Sequence, residues 1–591
     1  MSLIRPRHER ILPMKTFVLF LAPVITAIAE SSGPPPRLVP DPDKPEMVVR
    51  LESVGAFDET LSAFREQTAG REAAVATMHA EVALLRNIGL EGIRDGEPVL
   101  VAFWNLSWPL DLGKLDFLAA LPIRRGSVDM RMRVRLRDEE AQTVGGLLLK
   151  PLGPPEEDGV PKRRPWVAFD GARTIVASDP ALAAALPALL EAPPPVPGAP
   201  VSLLVPSAER LLGSAGRLVS ADDPTPDSAI GPRTFFLPPE QSTPNELGGT
   251  FSFTAAGVRG RGPGDGSQAV GFSATPAEGV LLAFHTRRLP EPGETNAPPP
   301  DPAPLAAADL RAIPPAALLW TATTDGTGSF SGVGSTRSFR LGFNDTPTNH
   351  VRKAAFDAFF AALDAATAAR GRTVRFLEPA DGGALRWESR VETSDTALER
   401  ALAAAYGDLS RTEGAIAGTN TPACFRTNSA DFAPDGLSGR VRTGRVTAAS
   451  YNMDHVLAGL FGEDFPWSVD VGETSSALAI GRAPATPHAA DGAAADAPLP
   501  VDLAAPRRWF PDLAPFSVSA LRPVPILARL APGAAAESDP VVLETVSCRG
   551  GEQIWTLSAP PDGVRSLSAL IGVILSGGGA AVPVETVGGI P

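Results

Sequence analysis

From Val99 to Trp104 the chain is apolar at every position (VLVAFW), so a strand placed there has two faces to bury. Ala316-Ala317-Leu318-Leu319-Trp320 is a second run of this kind. Other stretches carry a helical period. Leu115 to Leu121 reads as a short helical run, and Phe356 to Arg370 as a helix with Phe356, Phe359, Phe360 and Leu363 on one face and Gly371 as its stop. Val128 to Arg137 (VDMRMRVRLR) alternates strictly. Val128, Met130, Met132, Val134 and Leu136 fall on one face, and Asp129, Arg131, Arg133, Arg135 and Arg137 on the other, with same-face neighbours about 6.8 Å apart. That is the pattern of a half-buried antiparallel strand. Leu385 to Glu392 alternates similarly, but Arg386, Glu388, Arg390 and Glu392 mix signs and can neutralise one another locally. A helix opens after each charged strand, at Asp138-Glu139-Glu140 and at Ser394-Asp395, the latter carrying Leu398, Ala401 and Leu402. Hairpins are expected over Asp381-Gly382-Gly383 and between Phe251-Ser252-Phe253 and Val270-Gly271-Phe272.

A buried strand, a helix, a charged strand and a second helix therefore occur in the same order on both sides of a proline-rich segment at 290–305. A smaller unit of strand, polar cap and short apolar helix recurs as VVRLESVGAFDETLSAF, TIVASDPALAAALPALL, SLLVPSAERLLGSAG, SRVETSDTALERALAAA, TAASYNMDHVLAGLF and WTLSAPPDGVRSLSALI. The cap side chain accepts hydrogen bonds from the unpartnered N–H groups of the first helical turn. The expected fold is α+β, in two related halves, each a mostly antiparallel curved sheet with helices packed on one face. This order of elements resembles exported bacterial proteins of unknown function with duplicated strand–helix domains. The resemblance spans most of the chain beyond its N-terminal segment and implies no catalytic motif.

The organisation expected is a signal peptide at 1–29, a linker at 30–46, a first half at 47–289, a proline-rich linker at 290–305 and a second half at 306–591. A low-complexity loop is expected at 481–500. The first assignment rests on MKTFVLFLAPVITAIA from Met14: a basic Lys15, an apolar run, then Ala27-Ile28-Ala29 as a cleavage signature. Met14 competes with Met1 as the true start. The run is shorter than the ~20 residues that a membrane span needs, so the expectation is an exported protein, periplasmic or extracellular, with no transmembrane segment in the mature chain. In that oxidising setting Cys424 and Cys548 either close one long loop or remain two buried thiols.

Composition narrows the partners. The formal net charge is -14, which argues against nonspecific binding to nucleic acid, and the chain has 62 prolines and 56 glycines, which imply many turns and linkers. Against that acidity the arginine ladder stands out. Arg131, Arg133, Arg135 and Arg137 meet either acids of neighbouring elements or an anionic partner, and they are the candidate anion contacts.

Reactive constellations are few. The glycine-rich stretch Asp325 to Thr336 has no register giving G-x-G-x-x-G, and no lysine lies between Lys162 and Lys353. Phe330 stands where a nucleophile elbow requires serine, and no lysine follows a serine at the S-x-x-K spacing. Beyond His8, the histidines His79, His285, His350, His455 and His488 are at least 33 residues apart, and Asp454-His455 reads as capping and packing. The aspartates near 41–43 and 222–227 lack the rest of a calcium loop. Glu156-Glu157-Asp158 with Lys162-Arg163-Arg164 reads as a solvated charged loop, and the eight tryptophans as core or interface packing. No metal or other cofactor is expected. The functional expectation is an envelope protein with a non-enzymatic binding or structural role, its partner an envelope protein, a lipid or a glycan. The alternatives are a secreted hydrolase with dispersed acidic residues, and a periplasmic carrier of an apolar ligand.

Overall fold

The computed structural model of the chain describes residues 41–69, 96–105, 115–123, 136–153, 156–157, 160–161, 164–205, 266–288, 301–324, 347–416, 429–432, 437–442, 460–462, 464–482, 501–531, 538–550 and 552–575. The expected signal peptide, Arg131, Arg133, Arg135, Cys424, the arm Phe251–Phe253, the glycine-rich stretch beyond Asp325 and Asp454-His455 lie outside them. Two compact units divide the chain, 1–224 with 265–275 and 225–264 with 276–591.

In the first unit the elements are β1 (Met47–Leu51), α1 (Val54–Ala69), β2 (Val99–Trp104), β3 (Asp116–Leu121), β4 (Gln142–Val144), β5 (Leu147–Pro151), β6 (Glu156–Glu157), β7 (Val160–Pro161), β8 (Trp166–Phe169), β9 (Thr174–Ala177), α2 (Leu186–Glu191), β10 (Val201–Val205) and β11 (Gly266–Thr275). β6 and β7 pair only with each other. The rest form one antiparallel sheet in the order β11-β10-β1-β2-β3-β9-β8-β5-β4.

β2 is buried at every position, as its apolar run implies, and so is β3. The helix expected over Leu115–Leu121 is therefore a strand. Leucine and alanine favour helix locally, but the segment lies between β2 and β9 with both faces covered, and that burial outweighs propensity. Covering both faces also corrects the expectation of helices on one face. Val49, Leu51, Val101, Phe103 and Phe117 pack with Val54 and Phe57 at the start of α1. The alternate residues, Val48, Leu100, Ala102 and Leu118, pack instead with Leu182 and Ala183 of a 3-10 turn (Pro180–Ala185) and with Leu186 of α2. Polar caps start these elements as expected: Ser53 Oγ accepts from Ala56 N at 3.0 Å, and Asp179 Oδ1 from Ala181 N at 2.9 Å. Where β2 leaves the sheet, Asn105 adopts φ +54° and its Nδ2 donates to the fully buried Asp116 at 2.6 Å. Ser178 Oγ donates to the other Asp116 oxygen at 3.1 Å.

The second unit contains β12 (Gly279–Arg288), α3 (Ala307–Arg311), β13 (Leu319–Thr323), α4 (Pro347–Ala369), β14 (Arg370–Pro379), β15 (Leu385–Thr393), α5 (Thr396–Ile416), β16 (Ser429–Phe432), β17 (Ser438–Arg442), β18 (Asp464–Val471), β19 (Ser475–Gly481), β20 (Pro515–Leu521), α6 (Pro523–Leu530), β21 (Val542–Arg549), β22 (Glu552–Ala559) and α7 (Pro561–Leu575). Its antiparallel order is β12-β22-β21-β20-β13-β14-β15-β19-β18-β17-β16. The protein is thus mostly antiparallel sheet with helices, an α+β arrangement. No helix of the described residues is long and apolar enough to cross a membrane.

The hairpin over Asp381–Gly383 joins β14 to β15, and Asp395 Oδ1 accepts from Ala397 N at 2.9 Å to start α5, both as the sequence implies. α4 begins at Pro347, nine residues before the expected Phe356, and ends at Ala369. Its first turns are largely exposed, so no apolar stripe marks them. α6 and α7 begin with proline instead of a polar cap, which costs nothing at a position whose N–H has no helical partner.

Helices line both faces of this sheet too. Trp320, Phe376, Val518 and Ala520 pack with Leu310 of α3, while Leu318, Leu377 and Leu385 pack with residues of α5, α6 and α7. On the second of these faces one row is polar. Glu544, Ser519, Thr321, Arg375 and Ser389 stand opposite one another on five adjacent strands. Thr321 Oγ1 donates to Ser519 Oγ at 3.0 Å, and Trp555 Nε1 to Glu544 Oε1 at 2.6 Å.

Candidate functional site

β1 reads MVVRL, and a strand apolar on both faces has no internal use for its one charge, Arg50. Arg50 is paired across the sheet with Leu100 on β2 and Ser202 on β10, on the face that carries Val48 and Leu100. Beyond α2 that face is closed by the loop from Ala192 to Pro200, which holds five prolines. Proline fixes φ and removes N–H donors, so the loop is stiff and presents carbonyl oxygens with few donors. Val196 anchors it with no exposed surface, Ala199 N closes a turn onto Val196 O at 3.3 Å, and Glu52 N extends the β1–β10 ladder to Pro200 O at 2.9 Å.

Between loop and sheet lies a cavity of about 260 Å³, lined by Arg50, Glu52, Pro98, Pro194, Gly198, Ala199 and Ser202. Arg50 Nη1 donates to Ala192 O at 2.7 Å, and Ser202, only 1% exposed, directs its hydroxyl to Arg50 O at 3.4 Å. That single bond uses one of the five N–H donors of a guanidinium that is always charged. Among the described residues Arg50 makes no ion pair, and neither does the exposed Glu52 carboxylate just past the end of β1. The cavity therefore brings a cation and an anion to one small space beside a proline-rich loop.

Those residues singled out from sequence that the structure describes lie elsewhere. Arg137 is exposed, and its backbone N–H donates to Pro151 O at 3.1 Å just before the 3-10 turn Asp138–Glu140. Cys548 Sγ donates to Asp301 Oδ1 at 3.2 Å, and Gly550 N to Asp301 Oδ2 at 2.7 Å. On β15 the alternating charges neutralise one another as expected: Glu388 takes Arg386 at 2.7 Å and Arg390 at 2.6 Å. Trp104, Trp320, Trp467 and Trp509 are buried, in keeping with packing. His285 Nε2 lies 3.2 Å from Glu552 Oε2 on the neighbouring strand.

Two local signals marked the cavity: a lone arginine in an apolar strand and the proline run before the next strand. Neither shows from sequence that they meet, because Arg50 and Ala192 are 142 residues apart.

Compared with known proteins, the chain matches no family model, no curated protein and no solved structure.

Proposed function

We propose that this chain is an exported, non-enzymatic binding protein of the bacterial envelope, built by tandem duplication, whose first unit takes a small charged ligand in the Arg50 cavity. Export rests on the Met14–Ala29 pattern. Duplication is supported by strand order. The series β11-β10-β1-β2-β3-β9-β8-β5-β4 and the series β21-β20-β13-β14-β15-β19-β18-β17-β16 run through the same chain sequence of pairings, all antiparallel. Each has a helix after its third member, α1 after β1 and α4 after β13.

The observation that carries the binding role comes from setting β1 and β13 end to end. Ala322 then takes the place of Arg50, and Val518, its partner on β20, that of Ser202. Both are fully buried in the core of the second unit. The fold thus closes this position with apolar side chains when nothing else is asked of it. A half-buried arginine with no acidic partner among the described residues, beside a cavity, leaves N–H donors and a charge for an anionic ligand. An apolar-ligand carrier fits less well, since the cavity holds two charges, and a hydrolase needs converging acids where the cavity has Glu52 alone.

Thermal-shift measurements with small anions and zwitterions test the reading on wild type and Arg50→Gln. A ligand that raises the wild-type midpoint and fails to raise that of the variant is the expected result. Equal shifts in both proteins, or none in the wild type, would refute it.

A further inference from the structure

We infer that the ligand of the Arg50 cavity is a small zwitterion, an α-amino acid, an inference that rests on the binding role proposed above. The argument is one of charge balance in a confined space. Arg50 and Glu52 both line the cavity, and neither has an ionic partner among the described residues. Arg50 is on β1, and Glu52, two residues further on and exposed, lies just past the strand's end. A simple anion would satisfy Arg50 and be repelled by Glu52; a simple amine would do the reverse. An α-amino acid carries a carboxylate and an ammonium on one carbon, and so answers both with no net charge added to the cavity.

Three further features fit the ammonium end and the size. The proline-rich loop has few N–H groups to compete for the ligand's carboxylate or to repel its ammonium. Pro98, Pro194 and Ala199 give short apolar walls that suit a small side chain. A volume of about 260 Å³ lies under the ~300–1,000 Å³ usual for larger ligands. Because prolines hold the wall in place, little conformational entropy is lost when the ligand enters.

Isothermal titration of the full chain with L-alanine, propionate and ethylamine separates this inference from the one beneath it. The expected result is binding of L-alanine at least tenfold tighter than of either half-molecule. Glu52→Gln should lower affinity for L-alanine at least tenfold and raise that for propionate, while Arg50→Gln abolishes both. Propionate bound as tightly as L-alanine would overturn the zwitterion and leave the binding role standing. No heat from any of the three, with circular dichroism showing a folded chain, would overturn both. Arg50→Lys guards against a folding defect: it keeps the charge and should retain part of the affinity.

Discussion

The hydroxyl pair at the centre of the second sheet offers a direct measure of whether its polar row is structural. Thr321 and Ser519 are 4% and 3% exposed, and their hydroxyls satisfy each other at 3.0 Å. Ser519→Ala removes the acceptor and leaves the Thr321 hydroxyl buried without a partner, at a cost of about 1–3 kcal/mol. Thr321→Val has the converse effect and preserves shape. The double variant removes both hydroxyls, and because a neutral hydrogen bond contributes only about 1 kcal/mol net, its stability should return to within about 1 kcal/mol of wild type. Under the proposed duplication Val49 and Leu203 occupy the corresponding places in the first unit, and there the fold holds an apolar pair. The double-mutant cycle should therefore yield a coupling of about 1 kcal/mol or more. Urea titration gives the free energies, and native-state hydrogen exchange of β13 and β20 amides locates them. Single variants within about 0.5 kcal/mol of wild type, or losses that simply add, would refute the reasoning.

Other expectations follow from single contacts. Gly279 has φ +82°, and an added Cβ would collide with the Ala559 carbonyl oxygen and approach Pro560 Cα at 2.7 Å. Gly279→Ala should cost more than about 1–3 kcal/mol and deprotect the β12 amides in hydrogen exchange; unchanged protection contradicts the close approach. Ser517 Oγ is buried without a hydrogen-bond partner, so Ser517→Ala should be neutral or stabilising by up to about 1 kcal/mol in urea titration, and a clear loss would contradict that burial. The Arg164 guanidinium hydrogen-bonds Glu140 and holds its carboxyl below the ordinary range. A depressed folded pKa means the pair stabilises above the unfolded value near 4.5 and loses that contribution as pH falls through the folded one. In Arg164→Gln the Glu140 midpoint should rise toward the ordinary range by carboxyl-detected NMR titration, and an unmoved midpoint would exclude the pairing.

The parts of the fold legible in the sequence were those decided locally. Six apolar residues from Val99 to Trp104 can only be a strand with two covered faces, and Asp381-Gly382-Gly383 can hardly avoid being a turn. Leu115 to Leu121 was not decided locally, because its leucines and alanines suit either state and the choice was made by β2 and β9. A helix there would make Val128–Arg137 the counterpart of Leu385–Glu392, but by pairing β3 is third from β10 as β15 is third from β20. The cavity was hidden for a similar reason. Arg50 looks like one more arginine until the β1–β10 register brings it against the proline loop.

Comparing the two units separates polar residues that serve the fold from those that do not, under the proposed duplication. The β1–β10 junction holds the polar pair Arg50 and Ser202, and the β13–β20 junction holds Thr321 with Ser519 and Thr323 with Ser517; the Arg50 pair and the Thr321 pair lie on opposite faces. In the second unit Thr321 and Ser519 have the helix-covered face, and each satisfies the other. In the first unit Arg50 and Ser202 have the loop-covered face. Ser202 donates to the backbone of Arg50, and Arg50 gives one donor to Ala192 and leaves its charge unanswered. Neither pair is required by the architecture, since the other unit holds apolar residues at each place. A hydrogen-bonded pair that closes on itself can persist as packing, because it is nearly neutral in free energy. The Arg50 guanidinium closes on no acid among the described residues, so the self-satisfaction that accounts for Thr321 and Ser519 does not account for it. The two pairs differ in what each group still lacks, and under the proposed binding role Arg50's partner is the carboxylate of the ligand.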